Sequence, residues 1–340
     1  MKNLRLVKIR RTVTILSLKI FFTLVLVSQN ILAQELLSMK TFGYQLQNLN
    51  VSELVSSPYD LLILDYSFDG SDESALKKEQ VEEIIAGKNN RLVVSYFSIG
   101  EAEDYRYYFK SSWVKLKKKA TCKVGLTKSA PSWLDGPNRS FCGNYKTRYW
   151  ERAWKRILFG TQNGENKSYL DRIIDAGFQG VYLDIIDGYE YWLYDKKGDK
   201  RRKTAAKDMA LLVEQISKYA REVRGKPNFI VIPQNGAGIL GELSDGLKKR
   251  YLNAIDGIGA EDTFYFGSLD ENNPLKPQNS TIKNLQNFRD AGKAVLSIDY
   301  LTDADKVSDF RLRACNQGFI PQVGLRLLDS VATQTLLGCG

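Results

Sequence analysis

Eight short apolar runs recur along the chain, at Thr41–Gln45, Leu61–Asp65, Leu92–Phe97, Gly180–Asp184, Phe229–Pro233, Ile255–Ala260, Ala294–Asp299 and Gly318–Val323. Most are continuous rather than alternating, which points to strands buried on both faces, as in a parallel sheet. Between them the apolar positions take helical spacing, for example over Leu76–Ala86, Tyr169–Ala176, Ala205–Val223, Ile282–Ala291 and Asp303–Cys315. Glycine follows several of these (Gly87, Gly177, Gly225, Gly292), as expected just beyond a helix C-terminus. A strand–helix unit repeated eight times predicts an α/β fold, a closed (β/α)8 TIM barrel, with a doubly wound open sheet as the alternative.

One connection breaks the rhythm. Between the strands near 97 and 180 lie the basic run Trp113–Lys119, Cys122, Cys142 and a helix candidate, Tyr149–Phe159. A connection that long inside a barrel reads as an excursion after strand 3, lying over one rim and stapled by a disulfide. No repeat or low-complexity tract interrupts the rest.

Composition narrows the chemistry. The chain has 340 residues and no histidine, which removes Ser-His-Asp and Cys-His nucleophile systems and the commonest zinc ligand. Carboxylates become the leading groups for proton transfer. Residues 1–33 read as a signal peptide, with Lys2, Arg5, Lys8, Arg10 and Arg11 before the apolar run Ile20–Val27 and a small residue, Ala33, at the expected cut. The apolar run falls short of the about 20 residues of a spanning helix, so no stable membrane anchor is expected. Residues 34–340 then form a single domain, secreted or periplasmic. Six of the 49 basic residues and none of the 39 acidic ones fall in the leader, so the formal +10 drops to +4 and no nucleic-acid partner is implied. The four cysteines, Cys122, Cys142, Cys315 and Cys339, allow three disulfide connectivities, nearest-neighbour pairing being the simplest. None has the CxxC spacing of a zinc site, and neither a metal nor a cofactor is expected.

The chemistry collects where strands end. LLILD closes on Asp65, VVSYFSIGE on Glu101, GVYLD on Asp184, IVIPQN on Asn235, GIGAE on Glu261 and VLSID on Asp299. Singly, such residues commonly cap the next helix or make a turn. A barrel, however, aims all its strand ends at one axis, where carboxylates repel and suffer desolvation, so packing alone does not favour the cluster. By parity Tyr182 and Asp184 share a face, and Gly257 and Gly259 share that of Glu261, leaving room near that acid. Asp187, Tyr189, Tyr191 and Trp192 follow one strand, Tyr105, Tyr107, Tyr108 and Trp113 another, Phe264–Phe266 a third and Tyr300 a fourth. Aromatic platforms beside acids and amides suit a sugar, although half or more of these rings are expected to pack loops. Glycosidic cleavage needs one acid to protonate the leaving oxygen and a second carboxylate as nucleophile or base, and Asp184 and Glu261 fit.

Two other signals are weaker. Gly236, Gly238 and Gly241 spell GxGxxG, but Pro233–Asn235 intervenes after the strand and Ser244-Asp245-Gly246 breaks the expected helix. The runs Lys115–Lys119 and Lys196–Lys203 read as solvated surface.

The stretches YQLQN, YDLLILDYSFDG, VVSYFSIGEAEDYRYY, GFQGVYLDIIDGYEYW, IPQNG and IDGIGAEDTFY, in that order over residues 41–325, resemble glycoside hydrolase family 114, the endo-α-1,4-polygalactosaminidases and related barrel proteins. The resemblance implies metal-free hydrolysis of an α-1,4-linked galactosamine polymer, with Asp184 as nucleophile and Glu261 as acid/base. Asp65, Tyr96, Glu101, Arg106 and Asn235 match further family positions and are assigned to substrate binding; Tyr182, Asp187, Asp299 and Tyr300 join them from their place at the strand ends. The cysteine-bearing excursion between residues 110 and 150 departs from the family and should alter the cleft. The expected partner is a polysaccharide and the expected state a monomer. A barrel that binds surface glycan without cleaving it, or a hydrolase of another α-glycoside, is the alternative.

Overall fold

A computed structural model describes residues 35–118, 123–164, 167–194 and 201–339. Five parallel strands, β1 (Phe42–Gln45), β2 (Leu61–Leu64), β3 (Leu92–Ser98), β4 (Gly180–Asp184) and β5 (Ile230–Pro233), form one sheet in chain order. A second parallel sheet holds β6 (Gly257–Glu261), β7 (Ala294–Asp299) and β8 (Ile320–Val323). Each strand overlaps one of the eight apolar runs.

The apolar runs are continuous because both faces of each strand are covered. Phe42, Leu61, Ile63, Val94, Tyr182, Ile232, Leu296 and Ile298 pack into one buried cluster, inside the curve of the sheets. Their chain neighbours Leu62, Leu64, Val93, Val181, Leu183 and Val231 belong to the other, under the helices. Period-two alternation thus sorts residues between two apolar environments rather than between core and water.

The expected closed cylinder is not closed by its ladder. β5 and β6 are joined by a single parallel bridge, Gln234 to Gly259, with Asn235 N–H donating to the Gly259 carbonyl at 2.8 Å. β8 and β1 share no ladder. A side-chain amide stands in: the Tyr44 N–H donates to Gln334 Oε1 at 3.2 Å, Gln334 Nε2 donates to the Tyr44 carbonyl at 2.6 Å, and Gln322 Nε2 donates to Gln334 Oε1 at 2.8 Å. β8 is short and contains Pro321, which has no N–H for a further partner and suits a sheet edge. The Cys315–Cys339 disulfide ties the helix Ala304–Asn316 to the tail that carries Gln334.

β3 and β4 pair directly, with Tyr96 opposite Tyr182 and Ser98 opposite Asp184. The segment between them makes an antiparallel sheet of Glu101–Glu103, Asn144–Thr147 and Leu134–Pro137, a hairpin of Val114–Lys118 with Lys123–Leu126, and helices Arg152–Leu158 and Tyr169–Asp175. Trp154 fixes it to the barrel: its indole N–H donates to the Ile99 carbonyl at 2.9 Å, and its ring lies 4.7 Å from that of Trp133. Cys142 is disulfide-bonded. Its expected partner Cys122, the leader with its cut after Ala33, and residues 196–200 of the second basic run lie outside the described residues. Of the four glycines marked as helix ends, Gly177, Gly225 and Gly292 take positive φ and Gly87 does not. The expected break falls at Ser244: the short helix Ala237–Glu242 ends, Leu243 and Ser244 are extended, and a separate helix, Asp245–Ala254, follows. Among the described residues no helix is long and apolar enough to cross a membrane.

Candidate active site

The C-terminal ends of β4, β5 and β6 share an unusual backbone. Ile185, Asn235 and Asp262 all take left-handed φ, at 60°, 61° and 51°. Asparagine and aspartate tolerate this region; a β-branched isoleucine does so rarely. The residue after Asp184 is therefore strained, and such strain persists only where the surroundings impose it. Here the Ile185 N–H donates back to Asp184 Oδ1 at 2.7 Å. A Cβ on Gly100 would run into the Ile185 carbonyl, so glycine is what lets the two loops touch.

Asp184 Oδ2 accepts from the Tyr96 hydroxyl at 2.7 Å. Burial, the charge of Glu261 and that of Asp187 push its carboxyl well above the usual range, against the Tyr96 and Ile185 donors. Glu261 is held differently. Its Oε2 accepts from Asn235 Nδ2 at 3.0 Å, its N–H donates to Asn235 Oδ1 at 3.2 Å, and its Oε1 accepts from the Tyr300 hydroxyl. Arg326 lies 4.0 Å above the Tyr300 ring and forks onto Asp262 at 2.8 and 3.0 Å.

Accessibility divides the strand-end residues. Asp184, Asn235 and Glu261 are partly exposed and Asp187 is open to water, whereas Asp65, Glu101 and Asp299 are buried. Burial and the charges of Glu190, Glu261 and Glu101 push Asp187 up to about 6, an effect that water around so exposed a side chain reduces. Asp65 is gripped by both terminal nitrogens of Arg106, at 2.8 and 2.7 Å, and Arg106 is itself buried. Glu101 accepts from Asn138 Nδ2 at 3.1 and 3.2 Å and from Asn144 Nδ2 at 3.4 Å, with Lys146 at 3.9 Å. Asp299 takes the N–H groups of Thr263, Phe264 and Tyr265 at 2.7, 3.0 and 2.7 Å, fixing the loop that leaves Glu261. Tyr300 is buried and reaches the site by its hydroxyl alone. Tyr182 lies a layer below, fully buried, its hydroxyl without a hydrogen bond. Its ring fills the room that Gly259 leaves, so the space expected near Glu261 is occupied: a Cβ on Gly259 would overlap the Tyr182 hydroxyl.

Of the eleven aromatics after strand ends, only Tyr105, Tyr191 and Phe266 are exposed, at 46%, 41% and 40%. Each of the three carries a cation over its ring: Arg106 at 4.8 Å on Tyr105, Arg201 at 4.6 Å on Tyr191 and Lys276 at 5.2 Å on Phe266. Two participants are not evident from sequence although both fall in its motifs. Glu103 carries opposite charge to Arg106 at helical i,i+3 spacing and binds its Nε at 2.7 Å. Gln234, next to Asn235, accepts from the Tyr44 hydroxyl at 3.1 Å beneath the two acids. Among the described residues no cluster of His, Cys, Asp or Glu is arranged to hold a metal ion.

Comparison with known proteins agrees with this architecture. Residues 32–336 match Glycoside-hydrolase family GH114. An uncharacterized protein of Methanocaldococcus jannaschii is 36% identical over 304 residues, 86% of this chain and 78% of its own. One of Thermotoga maritima is 36% identical over 287 residues, 82% of this chain and 78% of its own. In three dimensions the chain resembles the glycoside hydrolase domain of PelA from Pseudomonas aeruginosa, at TM-score 0.58 and 16% identity, covering 86% of this chain and 97% of that one. It also resembles Aspergillus fumigatus Ega3 in complex with galactosamine, at TM-score 0.55 and 16% identity, covering 85% and 92%.

Proposed function

The chain belongs to glycoside-hydrolase family GH114, and from that premise we propose that it is an exported enzyme hydrolysing an α-1,4-linked galactosamine-type polysaccharide with Asp184 and Glu261 as its carboxylate pair. One observation carries this reading: of the five strand-end acids, these two alone remain partly exposed, while Asp65, Glu101 and Asp299 are themselves buried and hydrogen-bonded within the protein. The substrate class rests on the acids Asp184, Asp187 and Glu261 at one mouth, which suit protonated amines, and on the galactosamine named with the structurally similar Ega3.

In this mechanism an Asp184 oxygen attacks the anomeric carbon as the glycosidic bond breaks, and Glu261 gives its proton to the leaving oxygen. Glu261, now a carboxylate, then takes a proton from water; the water oxygen bonds to the anomeric carbon and releases Asp184. Asn235 and Tyr300 orient Glu261 through both steps. The upward push on Asp184 favours a second reading, in which Asp184 holds the proton in the free enzyme and the two roles are exchanged.

Reducing-end release by the mature protein from α-1,4-galactosamine, glucosamine and neutral α-glycan polymers tests the substrate. Release from the galactosamine polymer is expected; binding without release would leave a glycan-binding barrel, and release from the neutral polymer alone would move the substrate class. Azide added to Asp184→Ala and Glu261→Ala tests the roles, since the nucleophile variant should yield the glycosyl azide of opposite anomeric configuration.

A further inference from the structure

Tyr96 stands where two carboxylates compete for one proton. Its hydroxyl lies 2.7 Å from Asp184 Oδ2 and 3.2 Å from Glu103 Oε1, and a phenol has a single hydrogen to give. Glu103 does not face the mouth. It is 1% exposed, and its Oε2 takes Arg106 Nε while the far end of Arg106 grips Asp65. One cation thus serves two buried anions, and the remaining negative charge must be met by neutral donors. Tyr105 supplies one, giving its hydroxyl to the same Glu103 Oε1 at 2.6 Å, and Tyr96 is the other.

We propose that Tyr96 is a positioning residue that turns its one hydroxyl proton between Asp184 and Glu103 as the charge on Asp184 comes and goes, with Glu103 as the buried counter-acceptor. The proposal rests on the reading of Asp184 as a carboxylate whose charge changes during turnover. While Asp184 is an anion the hydroxyl donates to it. Once Asp184 is esterified or protonated it accepts more weakly, and Glu103 takes the hydrogen without any side chain moving far. Without Glu103 the hydroxyl would have no second acceptor and would hold Asp184 back from bond formation.

Asp184 is also faced by Tyr44, Tyr182, Asp187 and Glu261, and Glu103 by Asp65, Glu101, Asp104, Tyr108 and Tyr169. Of all these groups, only Tyr96 hydrogen-bonds to both acids.

The test is a carboxyl carbon-13 titration of Asp184 in the full mature chain, its signal assigned by loss in Asp184→Asn. Tyr96→Phe removes a donor to the anion and should raise the midpoint by about one pH unit. Glu103→Gln exchanges the anionic competitor for a weaker, neutral acceptor and should lower it by a similar amount. In the Tyr96→Phe background the effect of Glu103→Gln should fall to less than half. Equal shifts in both backgrounds mean that charge acts through space alone, and they overturn the proposal, as does a midpoint unmoved by Tyr96→Phe. Should Glu103→Gln not fold, Tyr105→Phe on its exposed side chain interrogates the same link. It removes the rival donor, strengthens the pull of Glu103 on the Tyr96 hydrogen, and should raise the Asp184 midpoint unless Tyr96 is phenylalanine; no movement sinks the idea. The titration needs no substrate, so the role of Tyr96 is decided even in a chain inactive on every glycan.

Discussion

The two halves of the mouth hold their acids by opposite means. On the β3–β4 side Asp184 leans on Tyr96, and behind it stands a dry ion cluster of Glu103, Arg106 and Asp65. On the β5–β6 side Glu261 is held by a neutral amide and a phenol, and the ion pair nearby, Arg326 with Asp262, is partly exposed. The ion cluster on the first side is buried; on the second the direct supports of Glu261 are neutral and the ion pair beside them is partly exposed. Charge in low dielectric sets a neighbour's proton affinity over several ångströms, whereas neutral donors chiefly set direction. The Asp184 half therefore reads as tuned and the Glu261 half as aimed.

The largest effect should fall on both halves alike. Asp184→Asn and Glu261→Gln should each lower kcat on the cleaved polymer by about 10³-fold or more, as loss of a nucleophile or proton donor does, with circular dichroism unchanged. Wild-type turnover by either variant removes that residue from the chemistry. Next comes Arg106→Met, which leaves Asp65 and Glu103 buried without their cation. Breaking a buried pair on one side costs about 3–5 kcal/mol, so the urea midpoint should drop sharply. A midpoint within error of wild type would return Arg106 to the substrate-binding role that its motif suggested.

On the other half, Asn235→Gly isolates direction from backbone. Its φ of 61° suits glycine, so only the two side-chain bonds to Glu261 are lost. A fall in kcat of about 10–100-fold with KM and stability little changed is expected, each neutral bond being worth about 1 kcal/mol and its geometry more. Asn235→Ala adds backbone strain and should lose stability as well.

Much of this was legible in the sequence because burial on both strand faces leaves a continuous apolar signature. The eight strands and the strand-end acids followed from it directly. What separates the partly exposed acids from the buried ones was not legible, since Asp65 and Arg106 lie 41 residues apart and nothing local marks them as partners. The β8–β1 seam was hidden for the same reason: Gln334 meets Tyr44 across 290 residues. Gly259 misled, because a missing side chain signals space in sequence whereas here the Tyr182 ring occupies it. The helix Asp245–Ala254 carries no strong start signal, since Asp-Gly after Ser244 reads as a turn and the Ser244 side chain makes no cap hydrogen bond.

Asp299 separates the halves by pH. Burial pushes its carboxyl up to about 7 despite three backbone N–H donors. Its folded pKa lies above its unfolded one, so its contribution to stability is full below about 4 and is lost as pH rises through 7. Denaturation at pH 5 and pH 8 should show wild type losing more stability over that interval than Asp299→Asn, and equal losses would mean that Asp299 stays ionised throughout.

The smallest effect should come from Arg326→Met, the counterpart of Arg106→Met. Arg326 pairs with Asp262 at partial exposure, where an ion pair contributes about 0–1 kcal/mol. Its cation also rests on the Tyr300 ring, whose hydroxyl aims Glu261, so a modest drop in kcat should accompany a small drop in stability. Salt sharpens the contrast: about 0.5 M sodium chloride should erase most of the Arg326→Met difference in stability and leave the Arg106→Met deficit standing, because mobile ions screen the wet pair and not the dry one. If both deficits vanish in salt, the Arg106 cluster is as wet as its counterpart and the division into tuned and aimed halves fails.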